Sequence, residues 1–333
     1  MSTPFRLYGT DLFGEPVLPG DALAARFGAP PFSVLSARGE AWRARKEQWL
    51  RWGVTGATGR TQALLSAGAT NGPERAQRHA TNYQRGAQSL EGAAGIYMRP
   101  LSVFDPVLCE LVYRWFCPPG GTVLDPFAGE CTKGLVAAHL GHPYTGVELR
   151  PEQVEANREA LARITPPPAM APQWVVGDSG ALDAALPEGE AYDLVWTSPP
   201  YFDLEVYSGE EEDGSGLADY AAFSTWYCNI LVACAQRLKR NRFLVVKVGE
   251  VRDKRTGAYH NFVGDTVRIL RERCGLAYYN EIIYVTPVGS LALRSALHLN
   301  SSRKVGKAHQ NVLVFYDGDP RKVREHFTEV VPC

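Results

Sequence analysis

A chain of 333 residues is long for one simple domain but fits an α/β core with additions, and its formal net charge of -1 excludes a uniformly basic protein while leaving room for local basic patches. Seven cysteines without a C-x-x-C pair argue against both a disulfide framework and a zinc ribbon, so no metal is expected. With no apolar run of about 18 residues and no hydrophobic signal core behind Met1, no membrane association is expected, and a soluble cytoplasmic protein is the expectation.

Residues 1–99 hold twelve Lys/Arg against seven Asp/Glu, roughly +5, so the basic share is concentrated at the front. After Pro30-Pro31-Phe32-Ser33-Val34-Leu35, a helix is predicted from near Ser36, carrying Trp42 and Trp49 on one face with Arg43 and Lys46 beside them. Two readings stand: an amphipathic helix that docks its tryptophans and leaves a solvated basic back, or an arm that contacts phosphates. From Gly53 to Gly95 the chain has few large apolar residues and reads as a long loop.

Helical spacing returns from Pro106 to Phe116 and ends at Cys117-Pro118-Pro119-Gly120-Gly121. Thr122 to Asp125 then reads as a strand, Pro126 to Gly134 as a tight glycine turn, and Leu135 to Leu140 as a helix. In that arrangement backbone passes close to a nucleotide-like ligand at a helix N-terminus. A second strand ends in Glu148, 23 residues after Asp125, where a carboxylate can accept both ribose hydroxyls, and a third ends in Asp178.

The apolar run Tyr192 to Trp196 leads straight into Thr197-Ser198-Pro199-Pro200-Tyr201-Phe202. A buried strand must stop at two prolines, and the end is rigid because each proline fixes φ and lacks an N–H. It presents a hydroxyl, a carbonyl before a proline and an aromatic ring, a set that suits a flat ring bearing an exocyclic amine. The acid run Glu210-Glu211-Glu212-Asp213 reads as a solvated loop tip. A helix is predicted from Tyr220 to Leu238, a strand from Arg242 to Val248 and a further helix from about Val263 to Arg273. Tyr284-Val285 and Val312 to Phe315 read as a terminal antiparallel pair. Between them, Pro287 to Gln310 carries Arg294, Arg303, Lys304, Lys307, His298 and His309 with no acid, and competes as a solvated basic loop or a target-contacting segment.

With Asp125, Glu148, Asp178 and the Ser198-Pro199-Pro200-Tyr201 turn in this order, residues 97–318 resemble the S-adenosylmethionine-dependent DNA amino-methyltransferases. Their fourth motif is (D/N/S)PPY and their cofactor loop DPFxGxG(S/T). The PPFSVL segment also looks like phage and prophage DNA methylases, and the motif order is that of the gamma type. The resemblance implies a Rossmann-like class I methyltransferase fold: a mostly parallel, seven-stranded sheet with an antiparallel terminal hairpin, over 97–333, preceded by a basic extension over 1–96. It implies S-adenosyl-L-methionine as cofactor, contacted by Phe104 and Asp105 at the tenth motif, Asp125, Phe127, Gly129 and Thr132 in the loop, Glu148 and Leu149 at the ribose, and Asp178 and Ser179 at the adenine. Ser198, Pro199, Pro200 and Tyr201 would be catalytic. Double-stranded DNA would be the partner, met by Arg294, Arg303, Lys304, Lys307, Arg43 and Lys46, inside a bacterial or phage-infected cell and in a restriction-modification setting.

The chain departs from this pattern at Gly129-Glu130-Cys131, where DPFxGSG is expected. Glu130 would oppose the cofactor's methionyl carboxylate, so it is expected to face solvent, to be neutralised by Lys133, or to meet a cofactor without that carboxylate, such as decarboxylated S-adenosylmethionine. For an aromatic amine, hydrogen bonds from NH2 to Ser198 and to the Pro199 carbonyl favour a pyramidal nitrogen whose lone pair attacks the methyl in line, on a base flipped out of the duplex and stacked on Tyr201. Ser at the head of PPY places N4-cytosine ahead of N6-adenine. An RNA guanine-N2 methyltransferase and a non-catalytic DNA-binding relative remain as alternatives.

Overall fold

A computed structural model describes residues 20–56, 104–202, 217, 219–288 and 291–330. The expected loop over 57–95 and the acid run 210–213 lie outside the described residues. Eight strands form one sheet: β1 (Val34–Ser36), β2 (Val123–Asp125), β3 (Tyr144–Glu148), β4 (Gln173–Val176), β5 (Tyr192–Thr197), β6 (Leu238–Val248), β7 (Ala277–Val285) and β8 (His309–Asp317). Their spatial order is β1-β7-β8-β6-β5-β2-β3-β4. β8 runs antiparallel between β6 and β7, and every other neighbouring pair is parallel. This is the Rossmann-like arrangement, with eight strands where seven were expected. The addition is β1, whose three residues pair with Ile283 to Val285 and cap the β7 edge.

The helices are α1 (Gly20–Phe27), α2 (Glu40–Arg51), α3 (Pro106–Phe116), α4 (Thr132–His139), α5 (Pro151–Arg163), α6 (Leu182–Ala185), α7 (Tyr220–Gln236), α8 (Phe262–Arg268), α9 (Leu291–Ser302) and α10 (Val323–His326). β5 is buried along its whole length because helices cover both sheet faces, which is why it reads as a continuous apolar run rather than an alternation. Leu194 and Trp196 pack with Leu108, Leu111 and Val112 of α3 and Leu135 and Val136 of α4. Val195 packs on the other face with Phe223, Tyr227 and Leu231 of α7 and Phe262 of α8.

The tryptophan-docking reading of α2 is the one realised. Trp42 and Trp49 are buried in the core that α3 shares, and each contributes roughly 1.5–3 kcal/mol of apolar burial. The seam also carries buried polar contacts. Glu110 of α3, 2% exposed, accepts a bidentate fork from Arg45 (Nη2 at 2.6 Å, Nε at 2.8 Å), the Trp49 indole N–H at 2.8 Å and Arg114 Nε at 3.1 Å. Burial alone would raise its carboxyl, but the Arg45 hydrogen bonds and charge, with Trp49 and Arg114, hold it below the ordinary glutamate range. A depressed carboxyl stabilises the fold above its unfolded-state value, and that contribution is lost as pH falls through the folded-state value. Arg45→Met is expected to cost about 2–3 kcal/mol, less than loss of an only partner because Arg114 and Trp49 remain. Urea unfolding at neutral pH and in the acid range checks both the magnitude and its decline with acid.

Candidate active site

All strand ends that matter here lie along one edge of the sheet: the C-termini of β2, β3, β4, β5, β6 and β7 and the N-terminus of β8. At its centre Asp125 is fully buried. Its carboxylate accepts from the Tyr144 hydroxyl at 2.9 Å, the Thr197 hydroxyl at 2.8 Å and the Phe127 N–H at 3.2 Å, and it pairs with Lys133 Nζ at 2.6 Å. These contacts use the four acceptor positions of a carboxylate. Asp125, expected on the cofactor, is the brace that ties β3, β5 and α4 to the end of β2. Through Thr197 it fixes the Ser198-Pro199-Pro200 turn against the glycine loop.

The loop after β2 turns at Gly129, whose φ of +57° favours glycine, and a Cβ built there meets no atom within 4 Å, so the backbone faces open space. Its peptide is held from both sides. The Gly129 N–H donates to Glu148 Oε2 at 3.0 Å, and the Gly129 carbonyl accepts from the Asn157 side chain at 2.8 Å. Asn157 in turn accepts from Gln153, which accepts from Arg150. Arg150 closes the ring on Glu148, donating its backbone N–H at 3.1 Å and placing Nε at 3.3 Å as an ion pair without an aligned N–H. Burial pushes the Glu148 carboxyl above the ordinary glutamate value, against the opposing pull of Arg150 and two backbone N–H donors. One strand along, Asp178 caps the following turn by accepting from the Gly180 N–H at 2.7 Å. Ser179, buried, donates its hydroxyl to the Pro126 carbonyl. Phe127 and Leu149 are half-buried beside this loop, with Phe127 5.6 Å from the Trp226 ring.

Ser198 and Pro200 are half-buried and Pro199 buried where β5 ends. The Tyr201 hydroxyl accepts from the Gln310 side-chain amide at 2.8 Å, and its ring lies 6.3 Å from Phe262. Gly249, just past β6, lies beside Tyr201: a Cβ there would sit 3.4 Å from the phenol oxygen. Phe202 packs on Tyr220, Phe223 and His260. Gln310 carries no sequence signal, since only the pairing of β6 with β8 brings it to Tyr201.

The tenth-motif and glycine-loop assignments change. Asp105 is buried and caps α3 through the Val107 and Leu108 N–H groups, while accepting from the Trp42 indole at 3.2 Å and Lys46 Nζ at 3.1 Å. It is thus a structural anchor for α2, and Lys46, expected on nucleic acid, is its ion-pair partner. Glu130 neither faces solvent nor pairs with Lys133. It is 4% exposed and turns inward to accept from the Thr132 N–H at 2.9 Å, the Thr132 hydroxyl at 2.7 Å and the Phe104 N–H at 3.3 Å. The charge therefore sits at the start of α4, where the helix dipole favours it, and Thr132's hydroxyl is spent on it. Phe104 is half-buried, its ring 3.9 Å from Lys247 Nζ and 5.2 Å from Lys133 Nζ.

Of the remaining basic candidates, Arg43 lies exposed on the outer face of α2, and Arg303 is exposed with φ of +56°. Lys304 is half-buried. Lys307 is turned onto Asn311 Oδ1 at 3.2 Å and is not an outward cation. The stretch expected as a basic loop contains α9, and the Arg294 side chain lies outside the described residues. Among the described residues no group of three or more His, Cys, Asp or Glu could hold a metal ion, and no helix is long and apolar enough to cross a membrane.

S-adenosylmethionine needs room against a loop backbone and carboxylates for its ribose and adenine. The open side of Gly129 gives the first. Glu148 retains acceptor capacity on Oε2 and Asp178 on Oδ2, beyond the N–H groups each already holds, which gives the second. The donor set therefore fits this group.

Residues 192–330 match the family model described as DNA methylase, which bears out the resemblance over the stretch that begins with β5 and the Ser198-Pro199-Pro200-Tyr201 turn. Among solved structures, TrmN from Thermus thermophilus is similar at 17% identity and a TM-score of 0.42, over 64% of this chain and 49% of that one. A methyltransferase from Pyrococcus furiosus is similar at 16% identity and a TM-score of 0.41, over 74% of this chain and 100% of that one. Magnesium protoporphyrin IX methyltransferase from Synechocystis PCC 6803, with bound SAM, is similar at 11% identity and a TM-score of 0.38, over 82% of this chain and 95% of that one. The chain spans about half the length of the Thermus protein.

Proposed function

We propose that the protein is a DNA methyltransferase that modifies the exocyclic amine of a base flipped out of the duplex, with N4-cytosine favoured over N6-adenine. The single observation that carries this reading is the Asp125 brace. It sets the Ser198-Pro199-Pro200-Tyr201 turn beside a glycine loop whose neighbours on the sheet end in Glu148 and Asp178. Bound there, S-adenosylmethionine supplies an electrophilic methyl group on a sulfonium centre. The Ser198 hydroxyl and the Pro199 carbonyl accept the two hydrogens of the target NH2 and so localise the nitrogen lone pair. Tyr201, its hydroxyl held by Gln310, offers its ring as the stacking face for the base. Serine rather than aspartate at the head of this turn supports cytosine.

Glu148→Ala and Asp178→Ala are each expected to weaken S-adenosylmethionine binding by about 1.5–3 kcal/mol, the value of a lost hydrogen bond to a charged group. The pH dependence follows from the raised Glu148 carboxyl. The neutral acid stabilises the fold below the ordinary glutamate value, and that contribution is lost as pH rises through the raised value. Cofactor affinity moves the opposite way, rising over the same interval as the carboxylate forms. Calorimetric titration across the acid range tests this, and a flat affinity in the parent with no loss in either variant would remove Glu148 and Asp178 from the cofactor site.

The reading itself is tested by incubating the protein with deuteromethyl-labelled S-adenosylmethionine and separate pools of duplex DNA and structured RNA, followed by nucleoside mass spectrometry. Label in N4-methylcytosine supports it, label in N6-methyladenine corrects the base, and label only in RNA guanine overturns it.

A further inference from the structure

The segment between β6 and α8 belongs to no expected motif, yet it forms a tight hairpin at the rim of the site. Arg252 and Tyr259 pair as an antiparallel bridge. The turn is closed by Asp253, whose backbone N–H donates to Ala258 and whose carboxylate accepts from the Arg255 N–H at 2.6 Å and the Thr256 N–H at 3.0 Å. Gly257, at φ of +75°, completes it, and the Arg252 guanidinium both donates to the Gly257 carbonyl at 2.9 Å and lies 3.9 Å over the Tyr259 ring.

Both feet of this hairpin stand on the motif that ends β5. Gly249 lies against the Tyr201 phenol, and the His260 ring is 5.6 Å from Phe202 and stacked on Tyr220 at 4.3 Å. Its tip meets the other basic segment, because a Cβ at Gly257 would fall 2.6 Å from Lys304 Nζ. The electrostatics are one-sided. Asp253 is engaged by turn N–H groups, and Glu250, at the inner foot, caps α8 by accepting from the Phe262 and Val263 N–H groups at 3.1 Å each. Lys254 and Arg255 stand exposed at the turn, continuous with Lys304 and Arg303, and Tyr259 is 43% exposed. An exposed rigid turn with clustered cations beside the aromatic platform suits phosphates, because Lys and Arg supply most backbone contacts and a preformed loop loses little entropy on binding.

We infer that the Arg252–Tyr259 hairpin, with Lys304 and Arg303, is a clamp for the phosphates of duplex DNA that flank the base delivered to Tyr201. This rests on the function proposed above and adds the element that holds the duplex. The double variant Lys254→Gln, Arg255→Gln changes two exposed side chains and leaves the Asp253 turn and the Arg252 contacts in place. Binding to a fluorescein-labelled duplex is measured by anisotropy over a salt series, with S-adenosylmethionine affinity read calorimetrically. Arg271→Gln, Arg273→Gln serves as control, since those side chains are exposed where the chain enters β7, at the opposite end of the sheet.

The expected result is a slope of log affinity against log salt shallower by about 1.8 in the hairpin variant, or about 0.9 for each phosphate no longer neutralised. The control slope and the cofactor affinity should stay within error of the parent. A parent that binds and methylates duplex DNA with an unaltered slope in the hairpin variant would overturn the clamp and leave the function standing. A parent that binds structured RNA but not duplex DNA would overturn both.

Discussion

Asp125→Ala is expected to destabilise the protein by about 3–5 kcal/mol, the cost of leaving one member of a buried ion pair without its counter-charge. Lys133 is 3% exposed and Asp125 0% exposed, so water cannot replace the missing carboxylate. The same substitution releases the Tyr144 and Thr197 hydroxyls, at roughly 0.5–1.5 kcal/mol each. Lys133→Met should fall in the same range, because it strands the carboxylate. Combining Asp125→Ala with Lys133→Met removes both charges, and its destabilisation should be less than the sum of the single changes. Thr197→Val separates stability from function: it loses one hydrogen bond, about 1 kcal/mol, while loosening the turn that carries Ser198. Urea unfolding provides the comparison. A single-variant cost below about 1 kcal/mol would mean that the Asp125–Lys133 pair is not the brace described.

Tyr201→Ala should lower kcat/KM on duplex DNA by about 5- to 150-fold, from the 1–3 kcal/mol that aromatic stacking contributes per base. The substitution also removes the acceptor of Gln310, so the loss has two components. Tyr201→Phe separates them. It keeps the ring and breaks the Gln310 bond, and it should retain activity within about fivefold of the parent if stacking dominates. Single-turnover methyl transfer measured for both variants decides the matter. Equal losses in the two would shift the role of Tyr201 from its ring to its hydroxyl.

The parts of the fold that are legible in the sequence are those where local chemistry and long-range packing agree. The β5 run into Ser198-Pro199-Pro200 ends where two prolines forbid a ladder, and the helix before β2 has its apolar residues at helical spacing with Pro106 at its first turn. β1 is not legible as a strand: three residues after a Pro-Pro pair give no period, and Val34 is exposed on the sheet edge. The charges of the α9 stretch suggest a loop, although Leu291-Ala292-Leu293-Arg294-Ser295-Ala296-Leu297 is made largely of good helix formers.

The acids divide for a related reason. Glu148, Asp178 and Asp125 end or follow strands and Asp105 precedes a helix, and the family resemblance gives all four the same reading. What separates them is which partners arrive from far along the chain. Lys133 and Thr197 saturate Asp125, and Trp42 and Lys46 occupy Asp105. Glu130 looks out of place in the loop because two of its partners, the Thr132 and Phe104 N–H groups, are backbone atoms that no motif encodes. Gln310 and the Arg252–Tyr259 hairpin leave no mark in the sequence because their nearness to Tyr201 and Phe202 exists only once β6 is paired with β8 and with β5.

The most direct test of the central claim is nucleoside mass spectrometry of host DNA and RNA from cells expressing the parent, Tyr201→Ala or nothing. A methylated exocyclic amine in DNA, N4-methylcytosine above all, that appears with the parent and falls to background with Tyr201→Ala is the predicted result. DNA nucleosides indistinguishable among the three, with the parent folded and binding S-adenosylmethionine, would contradict it.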